Sequence, residues 1–121
     1  MKKILLVDDS ETILLLETKI LKRSRWTLVT ARNGKEAIAK AMSEKPDLIL
    51  MDVVMPEMGG FEACKQLRSL EPTRAIPIIL VTTRGEVEHL AAGYASGCTD
   101  YLTKPIQAPD MLAKIECYLG A

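Results

Sequence analysis

The sequence predicts a doubly wound α/β domain, and three observations carry that reading. Short runs rich in Ile, Leu and Val alternate with longer stretches whose apolar residues recur every three or four positions. The short runs lack in–out alternation, so they read as strands buried on both faces of a parallel sheet. A helical stretch follows each of the five runs, and right-handed crossovers then cover both sheet faces with helices. The strand order expected for this pattern is 2-1-3-4-5.

The elements follow in order. A first strand at Lys3–Val7 leads to a helix that Ser10 can cap, with an apolar stripe at Ile13, Leu16 and Ile20. Trp26 stands just before a second strand at Thr27–Ala31, which places it at the amino end of the sheet. Asn33-Gly34 opens the second helix, with stripe Ala37, Ile38, Ala41 and Met42, and Pro46 closes it. The third strand is read at Asp47–Met51, and the third helix by Phe61, Cys64 and Leu67, with Pro72 ending it. A fourth strand at Ile76–Thr82 precedes a helix marked by Val87, Leu90, Ala91 and Tyr94, which Gly97 terminates. Asp100–Leu102 is the last strand, and Met111, Ile115, Tyr118 and Leu119 mark the last helix.

Composition bounds the function. A chain of 121 residues and 13.4 kDa fits one domain spanning 1–121, with no repeats. Hydrophobic residues at 48% and charged residues at 26% suit a packed core rather than a disordered tail. Sixteen Lys plus Arg balance sixteen Asp plus Glu, so the basic excess of a nucleic-acid binder is absent. The longest apolar runs fall far short of the roughly 20 residues that span a bilayer. Asp8-Asp9 interrupts the start before a signal-peptide core can form. A cytoplasmic protein without membrane contact is expected. Cys64, Cys98 and Cys117 have no CxxC spacing and His89 is the only histidine, so free, buried thiols are expected and no zinc site.

Ligands of this fold bind outside the carboxyl ends of the strands. Those ends hold Asp8-Asp9, Asp52, Thr82-Thr83 and Lys104-Pro105, while the second strand, expected at the sheet edge, carries no functional group. Two like charges about 4 Å apart repel by roughly 4 kcal/mol at an effective dielectric near 20. Three carboxylates therefore call for cations. Lys104 supplies one positive charge, and an all-oxygen set favours a hard ion such as Mg²⁺.

At these residues the sequence resembles the receiver domain of two-component response regulators, a flavodoxin-like fold, over essentially its whole length. The resemblance is carried by Ile4-Leu5-Leu6-Val7-Asp8-Asp9, Ala31-Arg32-Asn33-Gly34, Pro46 to Asp52, Met55-Pro56-Glu57-Met58-Gly59-Gly60 and Asp100-Tyr101-Leu102-Thr103-Lys104-Pro105. It implies that Asp52 accepts a phosphoryl group from a histidine kinase or phosphorelay partner. It implies Mg²⁺, for which Mn²⁺ can substitute, held by Asp8, Asp9, Asp52 and the main-chain carbonyl of Val54. Thr82 and Lys104 would contact the phosphoryl oxygens, and Tyr101 would be the aromatic switch. The switch would change the face of helix 4, strand 5 and helix 5, which controls a downstream protein or output domain and in some members a phosphorylation-dependent dimer. A cis bond at Lys104-Pro105 is a further implication.

Val54 and Arg84 are placed to influence phosphoryl lifetime. Val54 offers no hydrogen-bonding atom and Arg84 cannot act as a base, so slow hydrolysis is expected. His89, Met42 and Met111 read as packing residues, and Arg84-Gly85-Glu86 as a loop that moves on switching. A haloacid-dehalogenase-type phosphatase would need an Asp where Val54 stands. A flavin carrier would need a phosphate cradle where Asp8-Asp9 would repel its ligand.

Overall fold

A computed structural model describes residues 1–22, 25–83 and 87–120, with the side chains of 87–89 outside that description. Five strands form one parallel sheet: β1 (Lys3–Val7), β2 (Thr27–Ala31), β3 (Leu48–Asp52), β4 (Ile78–Thr82) and β5 (Asp100–Thr103). Their order is β2-β1-β3-β4-β5, as the sequence predicts. The helices are α1 (Glu11–Leu21), α2 (Gly34–Glu44), α3 (Gly60–Ser69), α4 (Val87–Ala95) and α5 (Ala108–Leu119), with a 3₁₀ turn at Glu71–Thr73.

Period-two strands send alternate residues to opposite faces, and the core accordingly splits into two layers. Leu5, Val7, Ile49, Met51, Ile78 and Leu80 pack with Ala37, Cys64 and Leu67 on the α2–α3 side. Ile4, Leu6, Leu50, Ile79 and Val81 pack with Leu14, Met111 and Ile115 on the α1–α5 side. All of β3 and β4 is buried, whereas the edge strand β2 is buried only at Ala31.

Both expected caps form. The Ser10 hydroxyl accepts from the Ile13 amide and the Asn33 side chain from the Glu36 amide, each satisfying an orphan N–H of a first turn. Lys104-Pro105 is cis. Trp26 joins the α1–α5 layer at the amino end of β2, away from the strand ends that carry the acids.

Several sequence expectations need correction. The buried face of α1 is Leu14, Glu17 and Leu21, while Leu16 is exposed, because the true stripe contains a carboxyl that a search for apolar periodicity passes over. On α4, Gly93 is buried, as is Ser96 just past its end, whereas Ala91 and Tyr94 face solvent, because Gly93 lets that helix lie close to Cys98 and Leu80. Met42 is exposed, as α2 seats its small residues Ala37 and Ala41 against the core instead. Cys117 is exposed, while Cys64 and Cys98 are buried as expected.

The strand bounds also move. β3 and β5 each run one residue further toward the functional rim, and β4 begins at Ile78 rather than Ile76. Pro77, which has no N–H for a ladder, stands just before this later start, and Arg68 engages the carbonyls around it. The Arg68 guanidinium donates to the carbonyls of Gly97 (2.7 Å), Arg74 (3.0 Å) and Ile76 (2.6 Å) and to Thr99 Oγ1 (3.1 Å), so the Ile76 carbonyl is engaged outside the sheet. Thr99 Oγ1 in turn accepts from the Ile78 amide at 3.0 Å. One side chain thus ties α3, the 3₁₀ turn and the loop before β5 to the amino end of β4.

Replacing Arg68 by Met leaves those carbonyls without a donor. Arg68→Met is expected to lower unfolding stability by about 3 kcal/mol in urea titrations, since each lost charged hydrogen bond contributes on that scale. A loss under about 1 kcal/mol would show that water replaces the arginine.

Candidate functional site

Each group on the rim is delivered by backbone that the sheet already fixes. Asp8 follows β1, its amide donates to the Ala31 carbonyl (3.1 Å), and its Oδ1 accepts from the Ser10 amide (2.9 Å). Asp52 ends β3 and Thr82 ends β4, and all three side chains are buried. Asp9 is exposed, and its carbonyl accepts from Arg32 Nη2 at 2.8 Å. Lys104 follows β5, its amide bonded to the Thr82 carbonyl at 2.6 Å. Gly60 lets α3 start hard against β3, since a Cβ there would stand 2.4 Å from the Asp52 carbonyl oxygen.

The acids converge. Carboxylate oxygens of Asp8, Asp9 and Asp52 lie within 4.8 Å of one another. Lys104 Nζ sits 3.2 Å from Asp52 Oδ1 and 3.5 Å from Asp8 Oδ2. Burial raises the pKa of Asp52, the charge of Asp8 adds to it, and Lys104 opposes both. Burial likewise raises Asp8, against its Ser10 hydrogen bond and Lys104. Burial acts to lower the pKa of Lys104, but Asp52 and Asp8 outweigh it and raise it. Among the described residues a single ammonium pairs with these buried acids, which leaves the three carboxylates under-compensated. Their all-oxygen donor set fits a hard divalent cation such as Mg²⁺.

The remaining predicted residues lie around this cluster. Val54, two past Asp52, has a fully presented side chain at 76% exposure. Met55 and Met58 are buried, and the Met58 carbonyl accepts from the Gly34 amide at 3.1 Å. Tyr101 is half-buried in β5 and shares a small apolar pocket with Thr82, Phe61 and Leu80. Arg84, Gly85 and Glu86 lie outside the described residues, as does the side chain of His89.

The comparisons decide the family. Residues 4–116 match the model of the response regulator receiver domain. The chain belongs to that family. It is 41% identical over 120 residues to the protein PilH of Pseudomonas aeruginosa, covering 99% of each chain. It is 42% identical over 118 residues to PhoP, the alkaline phosphatase synthesis transcriptional regulatory protein of Bacillus subtilis, covering 98% of this chain and 48% of PhoP. The receiver chain thus spans about half of some curated relatives and nearly all of others. Its fold superposes on the chemotaxis protein CheY4 of Vibrio cholerae with TM-score 0.92 at 36% identity, covering 98% of each chain. It also matches the receiver domain of the sensor histidine kinase PA1611 of Pseudomonas aeruginosa, with TM-score 0.91 at 26% identity over 99% and 98% of the two chains. That structure has a magnesium ion in its active-site cleft.

One group in this receiver domain escapes a reading of the sequence. Glu17 is 1% exposed on the inner face of α1, and its Oε1 has no hydrogen-bond partner among the described residues. Burial first, then the charge of Asp8, pushes its pKa up to about 8, with Lys104 opposing. The only sequence signal is an acid at helical spacing from Leu14 and Leu21.

Glu17 makes stability depend on pH with a definite sign. Below about 4.5 the carboxyl is protonated in both states and contributes no slope. Between 4.5 and about 8 the unfolded chain releases the proton that the folded chain keeps, so stability falls as pH rises. Above about 8 the full penalty is present. In metal-free buffer, thermal unfolding of the parent should lose stability across that window relative to Glu17→Gln, by roughly 1 kcal/mol per pH unit. Parallel pH profiles for the two proteins would contradict a buried, neutral Glu17.

Proposed function

We propose that the domain, residues 1–121, is the phosphoacceptor of a two-component pathway, with Asp52 as the residue that takes the phosphoryl group. The observation that carries this reading is the Asp8, Asp9 and Asp52 cluster, its oxygens within 4.8 Å, with the Lys104 ammonium 3.2 Å from Asp52. A carboxylate is ionised at neutral pH and serves as a nucleophile without a base, and Lys104 favours the charged form that burial disfavours. An Asp52 oxygen attacks phosphorus as the P–N bond of a kinase phosphohistidine breaks, and the departing imidazole retains the bonding pair and takes up a proton.

Phosphoryl transfer asks the protein mainly for position and compensating charge. Lys104 follows the charge from the Asp52 carboxylate onto the phosphoryl oxygens, and Thr82 offers its hydroxyl to them from the neighbouring strand. Asp8, Asp9, Asp52 and the Val54 carbonyl would hold Mg²⁺, with Mn²⁺ as a substitute. When bound, the ion would neutralise charge that Lys104 alone leaves. The magnesium in the cleft of the PA1611 receiver supports the same use here. Tyr101, sharing a pocket with Thr82, would pass the change to the face of α4, β5 and α5. That face would meet a downstream protein, an attached output domain or a second copy, as cytoplasmic receivers do. Direct contact with nucleic acid or membrane forms no part of the mechanism.

Acetyl phosphate with Mg²⁺ should label the parent, chelation should abolish labelling, and Asp52→Ala should remove it entirely. Equal labelling of Asp52→Ala and parent, read by phosphate-affinity electrophoresis, would overturn the assignment. Val54 cannot orient water, so Val54→Asn should shorten the phosphoryl lifetime several-fold in a decay time course. An unchanged decay would show that Val54 does not shield the phosphoryl group.

A further inference from the structure

Asp100 opens β5 immediately before Tyr101, and its carboxylate accepts from three donors. Oδ1 accepts from the Tyr101 amide at 2.8 Å and from Lys114 Nζ at 2.9 Å, and Oδ2 accepts from the Tyr118 hydroxyl at 2.8 Å. Lys114 and Tyr118 are four apart on α5, so one helix face presents both to the same carboxylate. The Lys114 ammonium also stands 5.6 Å from the centroid of the Tyr101 ring, within cation–π range. Burial acts against the ionised form of Asp100, yet its partners hold the pKa below the usual carboxylate range. Tyr118 is pushed up to about 12, chiefly by its bond to Asp100, so the phenol keeps its proton.

Tyr101 borders two spaces. One is the outer groove it lines with Asp110, Ala113 and Lys114, and the other is the small apolar pocket it shares with Thr82 and Leu80. A ring with two neighbouring spaces is placed by whatever contacts hold it on one side. We propose that Asp100, Lys114 and Tyr118 form a clasp that holds the Tyr101 ring against α5. These positioning residues thereby set how readily the ring moves into the pocket behind Thr82. The clasp builds on the reading of Tyr101 as the switch. It adds that the resting state is held from the α5 side, by an ion pair that a binding partner can compete for.

Asp100→Asn and Lys114→Gln, with Lys114→Arg as the conservative control, test this on ¹³C-tyrosine-labelled protein. The Tyr101 signals are identified by their loss in Tyr101→Phe. In the unphosphorylated Asn and Gln variants, nuclear Overhauser contacts from the Tyr101 ring to the Leu80 methyls should strengthen, while Lys114→Arg should keep the parent pattern. Labelling by acetyl phosphate should be about two- to fivefold faster in the first two variants, the scale of one exposed cation–π or ion-pair contact. Unchanged ring contacts in both variants overturn the clasp, and so does a displaced ring with an unchanged labelling rate. A parent that takes no label on Asp52 would instead overturn the phosphoacceptor reading. The ring contacts of the unlabelled chains would then still decide the clasp.

Discussion

The constraint on which this molecule turns is the mutual repulsion of acids at one end of its sheet. Asp8 and Asp52 are almost completely withdrawn from water, Asp9 adjoins them, and Lys104 is the cation that reaches both buried acids. In water such a cluster would scatter. In a protein it persists only where the backbone leaves the side chains no alternative. At an effective dielectric near 20 each close pair costs several kcal/mol, so the folded chain is charged against itself until cations arrive.

The sheet enforces this through register. Val7 lies opposite Met51, so the next residues, Asp8 and Asp52, leave neighbouring strands side by side. Thr82 lies opposite Thr103, so Lys104 emerges beside the end of β4. The strand order puts β4 between β3 and β5, a gap of about 10 Å between backbones at the usual strand spacing. The long stem of Lys104, just past β5, brings its charge back across β4 to Asp52. The cis bond at Lys104-Pro105 follows directly on the residue whose amide is tied to Thr82.

Much of this was legible before any coordinates. Uninterrupted apolar runs revealed a two-sided sheet, and the rule that ligands gather at carboxyl ends of parallel strands singled out Asp8, Asp9, Asp52, Thr82 and Lys104 together. The failures share a cause. Apolar periodicity marks a helix face only where apolar residues fill it, but α1 buries Glu17, and Gly93 of α4 and Ser96 just beyond it are buried. Burial there is decided by which face the crossover turns inward, not by what occupies it. Arg68 was equally silent, because its partners are main-chain carbonyls that no sequence pattern marks.

The two ends of the sheet therefore do different work. At the amino end, Arg68 satisfies carbonyls and Lys3 pairs with Glu44 at 3.0 Å, so polar groups there reinforce the fold. At the carboxyl end, polar groups strain it. Asp8, Asp52 and Glu17 are all buried acids with raised pKa, and Glu17 Oε1 lacks even a hydrogen-bond partner among the described residues. A fold can carry that burden because the unbroken apolar strands β3 and β4 run between the two ends, so destabilisation at the rim is offset by burial along their length. The consequence is a rim poised to respond: any cation or charge transfer that relieves the acids changes the balance locally, at the ends of β3, β4 and β5, while the layers beneath stay packed. Asp100 lies on the last of those strands and Lys114 on the helix that follows it, which gives such a local change a short route to the outer surface.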